Sequence, residues 1–282
     1  MLTSNSVDYF IDKLPGTYGH LPRLAALTTL TRYPTPVASN MDGTTEPLLA
    51  VIGNPIAGNP SQFALERAIS SLGLDWRVLS FDVPPDDIAA ALDGFAVTGI
   101  CGVLIDLSVK EEASKWYAKR IGSDGTAVDC LVRGEDGQFI GFDERYLWIK
   151  EQLVSKTEGG RVCFGHCGAN STWDLDLLGV EKISDSVKPE TIEAAQAILV
   201  VDDLTGPPEL EIDEWPENDG STVVIDLSTC HPMQDSISDL GYQLLTESDL
   251  FVGILQRAVE KWSAQKVDPV VIRDAVEEYL GV

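Results

Sequence analysis

Residues 98–111, TGICGVLIDLSVKE, decide the fold, because in this stretch a buried strand leads into a lysine and then a helix. Five apolar residues predict a strand that is covered on both faces: Ile100, Val103, Leu104, Ile105 and Leu107. Lys110 follows this strand, and residues 111–120 begin with two glutamates and end with Lys119 and Arg120, the charge order that a helix dipole favours. A lysine at the carboxyl end of such a strand faces the crevice where α/β proteins bind ligands. A solvated lysine that only begins a helix is the alternative.

The residues around this stretch alternate between strand and helix patterns. Residues 48–110 predict a βαβαβ unit, with apolar helix positions at the spacing of sheet-packing helices. Residues 129–143 contain two apolar runs around Gly134-Glu135-Asp136-Gly137, which predicts a β-hairpin. The first half of the chain is therefore an α/β sheet with a hairpin at its end.

A second α/β segment follows a long helix predicted at about residues 145–155. Its predicted strands are 161–165, 182–187, 197–203, 222–228 and 242–245, and its predicted helices are 189–196, 234–240, 255–265 and 269–280. We therefore expect an α/β fold with two domains. Residues 47–145 form the first domain, to which residues 254–282 return, residues 146–253 form the second, and residues 1–46 are an N-terminal extension.

The composition limits the classes of partner. The chain has 45 acidic and 20 basic residues and a formal net charge of -25, so it repels nucleic-acid phosphates and anionic membranes. No apolar run is long enough to span a bilayer, and the N-terminus lacks the pattern of an export signal. These features predict a cytoplasmic protein, monomeric or homodimeric, that binds neither nucleic acid nor membrane.

The cysteines indicate a reducing compartment and no metal site. There are 5 of them, an odd number, and most lie in apolar strand patterns. Cys163, His166 and Cys167 are close in sequence but lack a second ligand cluster, so we predict no metal there.

Several motifs, in one order, resemble the shikimate dehydrogenase family from about residue 49 to the end. The resembling stretches are VIGNPIAGNPSQFALERAISSLGLDW (51–76), FDVPPDDIAAALDGFAVTGICGV (81–103), LIDLSVKE (104–111), EDGQFIGFDERY (135–146) and LQRAVEKW (255–262). The resemblance implies a substrate domain and a smaller Rossmann-like dinucleotide-binding domain. It also implies the NADP-dependent interconversion of 3-dehydroshikimate and shikimate, a step of aromatic amino acid biosynthesis, on a small-molecule substrate.

The resemblance assigns roles to several residues. Lys110 matches the family's catalytic lysine, which moves a proton as the hydride moves. Ser61 matches one of two serines that hold the substrate carboxylate, and Asn59 replaces the other but can still donate a hydrogen bond. Gln256 matches the glutamine that binds substrate from the C-terminal helix.

The substrate half also departs from the family pattern. Arg145 occupies the position of the catalytic aspartate, and an arginine beside Lys110 would lower the pKa of the lysine. Asp143 or Glu144 could replace that aspartate if the loop is re-aimed, although adjacent residues of an extended segment point to opposite faces. Asp106 and Asp129 replace a threonine and an asparagine. Two such carboxylates repel a carboxylate substrate unless they are protonated or paired, and Arg145 is the partner that we expect for them.

The cofactor half departs further. The turn GHCGAN keeps Gly165 and Gly168, followed by Ala169, as a candidate dinucleotide cradle, although a plain strand-to-helix turn fits it equally well. Between this turn and residue 197 the chain is too short for the family's two strand–helix units, and we expect the missing unit to be the one that holds the adenosine 2′-phosphate. Phe251 stands where the family has a glycine near the nicotinamide.

Two hypotheses from different classes follow. The first is a shikimate dehydrogenase-type oxidoreductase that uses Lys110, with weak or altered activity or an altered substrate. The second is a catalytically inactive relative that binds a small ligand or a partner protein in the cleft between the domains.

Overall fold

The computed structural model describes residues 46–156, 163–166, 180–182, 192–201, 215–227 and 234–282. These residues form two five-stranded sheets with helices between and around them. The helices are α1 (Ser61–Ser71), α2 (Ile88–Thr98), α3 (Lys110–Ile121), α4 (Glu144–Lys156), α5 (Gln234–Asp239), α6 (Glu247–Ser263) and α7 (Pro269–Leu280). The predicted α/β fold class is confirmed.

The first sheet combines parallel strands with the predicted hairpin. Its strands are β1 (Leu48–Gly53), β2 (Arg77–Asp82), β3 (Gly102–Ile105), β4 (Cys130–Arg133) and β5 (Phe139–Phe142), in the order β2-β1-β3-β4-β5. Strand β1 is parallel to β2 and to β3, whereas β3–β4 and β4–β5 are antiparallel. The hairpin is confirmed, because Arg133 pairs with Phe139 across its turn.

Both faces of the first sheet are covered, as the apolar strands predict. Leu49 and Val51 of β1 pack in one core with α1, α6 and α7, and Ala50 and Ile52 pack in a second core with α2 and α3. The C-terminal helices therefore return to this sheet. Their position is set partly by Trp262, whose indole N–H donates to the carbonyl of Leu131 over 3.0 Å.

Two predicted boundaries near the candidate site residues were wrong. Strand β3 ends at Ile105, and Leu107 lies in a 3₁₀ turn, Leu107–Val109, where 62% of it is exposed. The turn forms because the Asp106 side chain caps it by accepting a hydrogen bond from the backbone N–H of Ser108 over 2.9 Å. Lys110 is therefore the first residue of α3, and four residues separate it from the end of β3.

Helix α6 was predicted to begin at residue 255 but begins at Glu247. A capping box between Thr246 and Asp249 fixes this start, because each residue's side chain accepts a hydrogen bond from the other's backbone N–H.

The second sheet is parallel throughout. Its strands are β6 (Cys163–His166), β7 (Val180–Lys182), β8 (Ala197–Val200), β9 (Val223–Asp226) and β10 (Gln243–Thr246), in the order β10-β9-β8-β6-β7. Helix α4 covers one face of this sheet through Trp148, Ile149 and Leu153. On the opposite face Ile192, Trp215 and Ile237 pack against the strands.

The described strands of this sheet match a Rossmann sheet that lacks one position. A complete Rossmann sheet has the strand order 3-2-1-4-5-6. Read from its β7 edge, this sheet has the order β7, β6, β8, β9 and β10, and these strands occupy positions 2, 1, 4, 5 and 6. Among the described residues, no strand occupies the third Rossmann position.

This assignment corrects one expectation. We expected the missing unit to be the one that meets the adenosine ribose and its 2′-phosphate. In Rossmann sheets that contact follows the second strand, and β7 occupies the second position beside β6. The ribose-proximal strand is therefore present, with Lys182 as its last residue.

Candidate active site

Lys110 lies between two carboxylates. Its Nζ is 2.7 Å from Oδ1 of Asp143 and 3.0 Å from Oδ2 of Asp129. The lysine side chain is only 15% exposed, so both contacts are shielded from bulk water. Lys110 begins α3, but it is buried and paired with two carboxylates and is not a solvated helix start.

Asp129 is the more deeply buried partner. Its Oδ1 accepts the backbone N–H of Glu144 over 2.6 Å, and its Oδ2 accepts that of Arg145 over 3.1 Å. Burial raises the pKa of Asp129 to about 6, although the positive charge of Lys110 acts in the opposite direction. Asp129 therefore holds together the lysine and the first turn of α4.

Asp143 immediately precedes α4 and is the less buried partner. Besides Lys110, its Oδ1 accepts the backbone N–H of Tyr146 over 3.1 Å, the contact of an N-cap residue. The chain turns into a helix at Glu144, so the alternation of an extended segment does not apply here. This turn aims Asp143 at Lys110.

Arg145 does not take the role that we expected. Its guanidinium forms two hydrogen bonds with the Glu247 carboxylate, over 2.8 and 2.9 Å, and only its backbone N–H contacts Asp129. The expectation that its side chain pairs with Asp106 and Asp129 was wrong. Lys110 is the cation that pairs with Asp129, because the first helical turn directs the Arg145 side chain towards α6.

Glu144, which we considered as an alternative to Asp143, instead contacts two cations of α6. It is fully buried, with Oε2 2.7 Å from Nε of Arg257 and Oε1 3.0 Å from Nζ of Lys261. Arg257 and Lys261 are four residues apart and lie on one face of α6. Glu144 thus fixes the beginning of α4 against α6. This first turn of α4 supplies the backbone contacts to Asp129 and Asp143.

A second polar group lies where β1 and β3 of the first sheet end. The side-chain amide of Asn59 donates to Oδ2 of Asp106 over 2.9 Å, and its Oδ1 accepts the backbone N–H of Ser61 over 2.8 Å. Ser61 is the first residue of α1 and is almost fully buried. Gly53 permits this approach, since a Cβ atom there would lie 2.8 Å from Cβ of Asp106. The structure therefore brings Asn59, Ser61 and Asp106 together.

Gln256 is not brought to Lys110 by its contacts. Its side-chain amide donates to Oε1 of Glu260 over 3.1 Å and to the carbonyl of Val267 over 3.4 Å. These contacts place it on the side of α6 that leads to α7. Its role in substrate binding stays a prediction.

The candidate cofactor residues are only partly within the described chain. Gly165 lies in β6, whereas Gly168 and Ala169 fall outside the described residues. Phe251 lies in α6, partly buried against the core that α1, α6 and α7 share. In a Rossmann sheet the ligand crevice opens beyond β6 and β8, where the strand order reverses.

Two findings apply only to the residues described. No group of three His, Cys, Asp or Glu side chains in the described ranges is arranged to hold a metal ion. Cys167 lies outside those ranges, and so do the side chains of Cys163 and His166. No described helix has the length and apolar character needed to cross a membrane.

The chain is similar in sequence to several curated shikimate dehydrogenases, and no family model matches it. The NADP(+) enzyme of Methanocaldococcus jannaschii is 24% identical over 157 residues, 54% of this chain and 55% of that protein. The enzyme of Magnetococcus marinus is 28% identical over 57% of this chain and 59% of that protein. The enzyme of Halorubrum lacusprofundi is 33% identical over 30% of this chain and 33% of that protein. The matches thus span less than two thirds of the relatives' length.

Solved structures share the fold over most of the chain. The Thermus thermophilus shikimate 5-dehydrogenase in complex with shikimate has a TM-score of 0.64 at 19% identity, covering 84% of this chain and 100% of that one. The 5-ketofructose reductase of Gluconobacter has a TM-score of 0.64 at 20% identity, and the match covers 84% of this chain and 99% of that chain. The resemblance seen in the motifs is confirmed: the chain is similar in sequence to curated shikimate dehydrogenases and shares the fold of solved ones.

Proposed function

We propose that this chain is an oxidoreductase of the shikimate dehydrogenase type, in which Lys110 and Asp143 handle the proton of a carbonyl–alcohol interconversion. The observation that carries the proposal is the 2.7 Å contact between Nζ of Lys110 and Oδ1 of Asp143. It restores a lysine–carboxylate pair even though Arg145 stands at the position of the family's aspartate.

The pair is suited to general acid–base chemistry. In the reductive direction, the hydride for the carbonyl carbon of the substrate would come from a nicotinamide, when one is bound. The ammonium of Lys110 donates a proton to the carbonyl oxygen, which becomes a hydroxyl. Asp143 stabilises the ammonium form before this transfer, and solvent then returns the proton to the lysine. The reverse reaction takes the same proton from the alcohol.

The two carboxylates have different roles in this proposal. The side chain of Asp129 is 6% exposed and is held by two backbone N–H groups, whereas that of Asp143 is 22% exposed. Asp143 is therefore the partner that solvent and substrate reach. Asp129 positions Lys110 by holding it against the first turn of α4.

The cofactor that we propose is a nicotinamide dinucleotide, NADP in the first instance. The curated relatives are named as NADP(+) enzymes, and one shikimate dehydrogenase of similar fold is in complex with NADP+. Strands β6, β7 and β8 occupy the positions that flank the dinucleotide crevice in Rossmann folds. Gly165 and the residues after it would hold the pyrophosphate, and the end of β7 would lie near the adenosine ribose.

A catalytically inactive, ligand-binding relative is the second candidate. The observation that favours it is the second sheet, whose described strands leave the third Rossmann position empty. Such a protein would bind a small molecule beside Lys110, Asp129 and Asp143 without transferring a hydride.

Two measurements separate these candidates. The first is the titration of the full chain with NADP by calorimetry, and the second is the loss of NADPH absorbance with 3-dehydroshikimate and related ketones. The oxidoreductase proposal expects dinucleotide binding, and a turnover that Lys110→Ala abolishes and Lys115→Ala preserves. Lys115 is a matched control because it lies on α3 but pairs with Glu111 in an exposed position. Absence of dinucleotide binding at high protein concentration would favour the second candidate.

A further inference from the structure

We propose that Asp106 makes this site select an uncharged polyhydroxylated carbonyl compound or alcohol over a substrate that carries a carboxylate. The inference rests on the proposed function, since it names the class of substrate that the Lys110 site accepts. Asp106 acts here as a specificity-determining residue.

Asp106 occupies the place that a substrate carboxylate would need. Asn59 and Ser61 match the positions that hold the carboxylate in the resembling family, and Asp106 contacts Asn59 directly, with 2.9 Å between Nδ2 and Oδ2. Its other carboxylate oxygen accepts the backbone N–H of Ser108 over 2.9 Å. Asp106 is thus fixed by two donors, one on each oxygen.

The orientation of Asn59 leaves little room for a second anion. Its Oδ1 accepts the backbone N–H of Ser61, so Nδ2 is the donor that faces Asp106 and has one hydrogen left for a ligand. Two acceptors on the hydrogens of one amide nitrogen lie about 5 Å apart. A substrate carboxylate bound there would therefore stand next to the Asp106 carboxylate in a partly buried site, where like charges repel strongly.

The charges of the neighbouring residues do not offset this repulsion. Lys110 already pairs with both Asp129 and Asp143, so one ammonium faces two carboxylates before Asp106 is counted. The guanidinium of Arg145 is engaged by Glu247. The described residues of the site thus carry more negative than positive charge, which disfavours an anionic ligand.

An uncharged hydroxyl group suits the same position. It can donate to a carboxylate oxygen of Asp106 and accept from the remaining hydrogen of Asn59. A neutral polyol that also carries the reacting carbonyl or alcohol therefore satisfies these groups without adding charge.

Shikimate and its carboxamide form a matched pair of probes, because they share the ring and its hydroxyls and differ in charge. We would measure the dissociation constant of each for the full chain by calorimetry. The expected result is that the carboxamide binds at least about tenfold more tightly, a difference of about 1.4 kcal/mol. Asp106→Asn should reduce this ratio to about threefold or less. Asp75→Asn, which removes the same charge from an exposed position beside Arg77, should leave it unchanged.

Every other result overturns the proposal. Tighter binding of shikimate, equal binding of the two probes or binding of neither contradicts it, as does a ratio that Asp106→Asn does not change. Tighter binding of the corresponding amine, a cation, would show that the site selects charge and not hydroxyl groups. Preference for the carboxamide without any turnover would reject the proposed function but not this inference. Turnover together with a preference for shikimate would reject this inference but not the proposed function.

Discussion

Nζ of Lys110 lies 2.7 Å from Oδ1 of Asp143, although Asp143 stands two residues before the position that the family resemblance assigns to the aspartate. The pairing depends on the start of α4, because Asp143 caps this helix through the backbone N–H of Tyr146. The catalytic pair that we propose is therefore a consequence of local helix geometry.

The first prediction concerns Arg145, which we place outside the proton-handling pair. Arg145→Ala should change kcat by less than about fivefold, because the guanidinium contacts Glu247 and not Lys110. It should lower the free energy of unfolding by roughly 1 kcal/mol, since the Glu247 side chain is half exposed and the ion pair is partly screened. Steady-state kinetics and urea unfolding measure the two effects. A loss of activity comparable to that of Lys110→Ala would show that Arg145 acts in the reaction.

The second prediction concerns the buried carboxylate of Glu144. Glu144→Ala should lower the free energy of unfolding by about 3 kcal/mol, because it leaves the side chains of Arg257 and Lys261 without their shared partner. Urea denaturation followed by tryptophan fluorescence measures this loss. Glu151→Ala is the matched control, since it removes only the exposed end of the Arg257 network and should cost less than about 1 kcal/mol. Equal losses in the two variants would contradict a structural role for Glu144.

The third prediction follows from the pKa of Asp129. Burial raises this pKa to about 6 in the folded chain, so the unfolded chain releases the proton at a lower pH than the folded chain does. Between the pKa of the unfolded chain and that of the folded chain, the folded state binds more protons. The contribution of Asp129 to the free energy of unfolding therefore falls as the pH rises from about 4 to about 6.

Comparison of the wild type with Asp129→Asn tests this sign. Over that pH range the stability of the wild type should fall relative to the variant by an amount on the order of 2 kcal/mol. The measurement is the free energy of unfolding in urea at several pH values. A difference between the two proteins that is independent of pH, or that changes in the opposite direction, would refute the assigned pKa.

Strand periodicity was sufficient to predict much of the fold. In β3, Leu104 packs in one core and Val103 and Ile105 pack in the other, so the burial on both faces that its apolar run predicted is confirmed. The turn between Gly134 and Gly137 set the hairpin in the same way. These features depend on residues close together in the chain.

The errors came from local caps and from distant contacts. The capping box of Thr246 and Asp249 moved the start of α6, and the pairing of Asp143 with Lys110 required the exact residue at which α4 begins. The contact between Glu144 and Arg257 could not be predicted, because the two residues lie 113 positions apart in the chain. The four-residue spacing of Arg257 and Lys261 was the only local signal of that contact.

The measurement that tests the central claim most directly is the turnover of Asp143→Asn, followed as NADPH oxidation with the best ketone substrate found for the wild type. The account predicts a fall in kcat of about 100-fold or more, since general acid–base groups contribute at least that much. It also predicts little change in the affinity for the dinucleotide. A kcat within a few-fold of the wild type would contradict the assignment of Asp143 and Lys110 as the proton-handling pair.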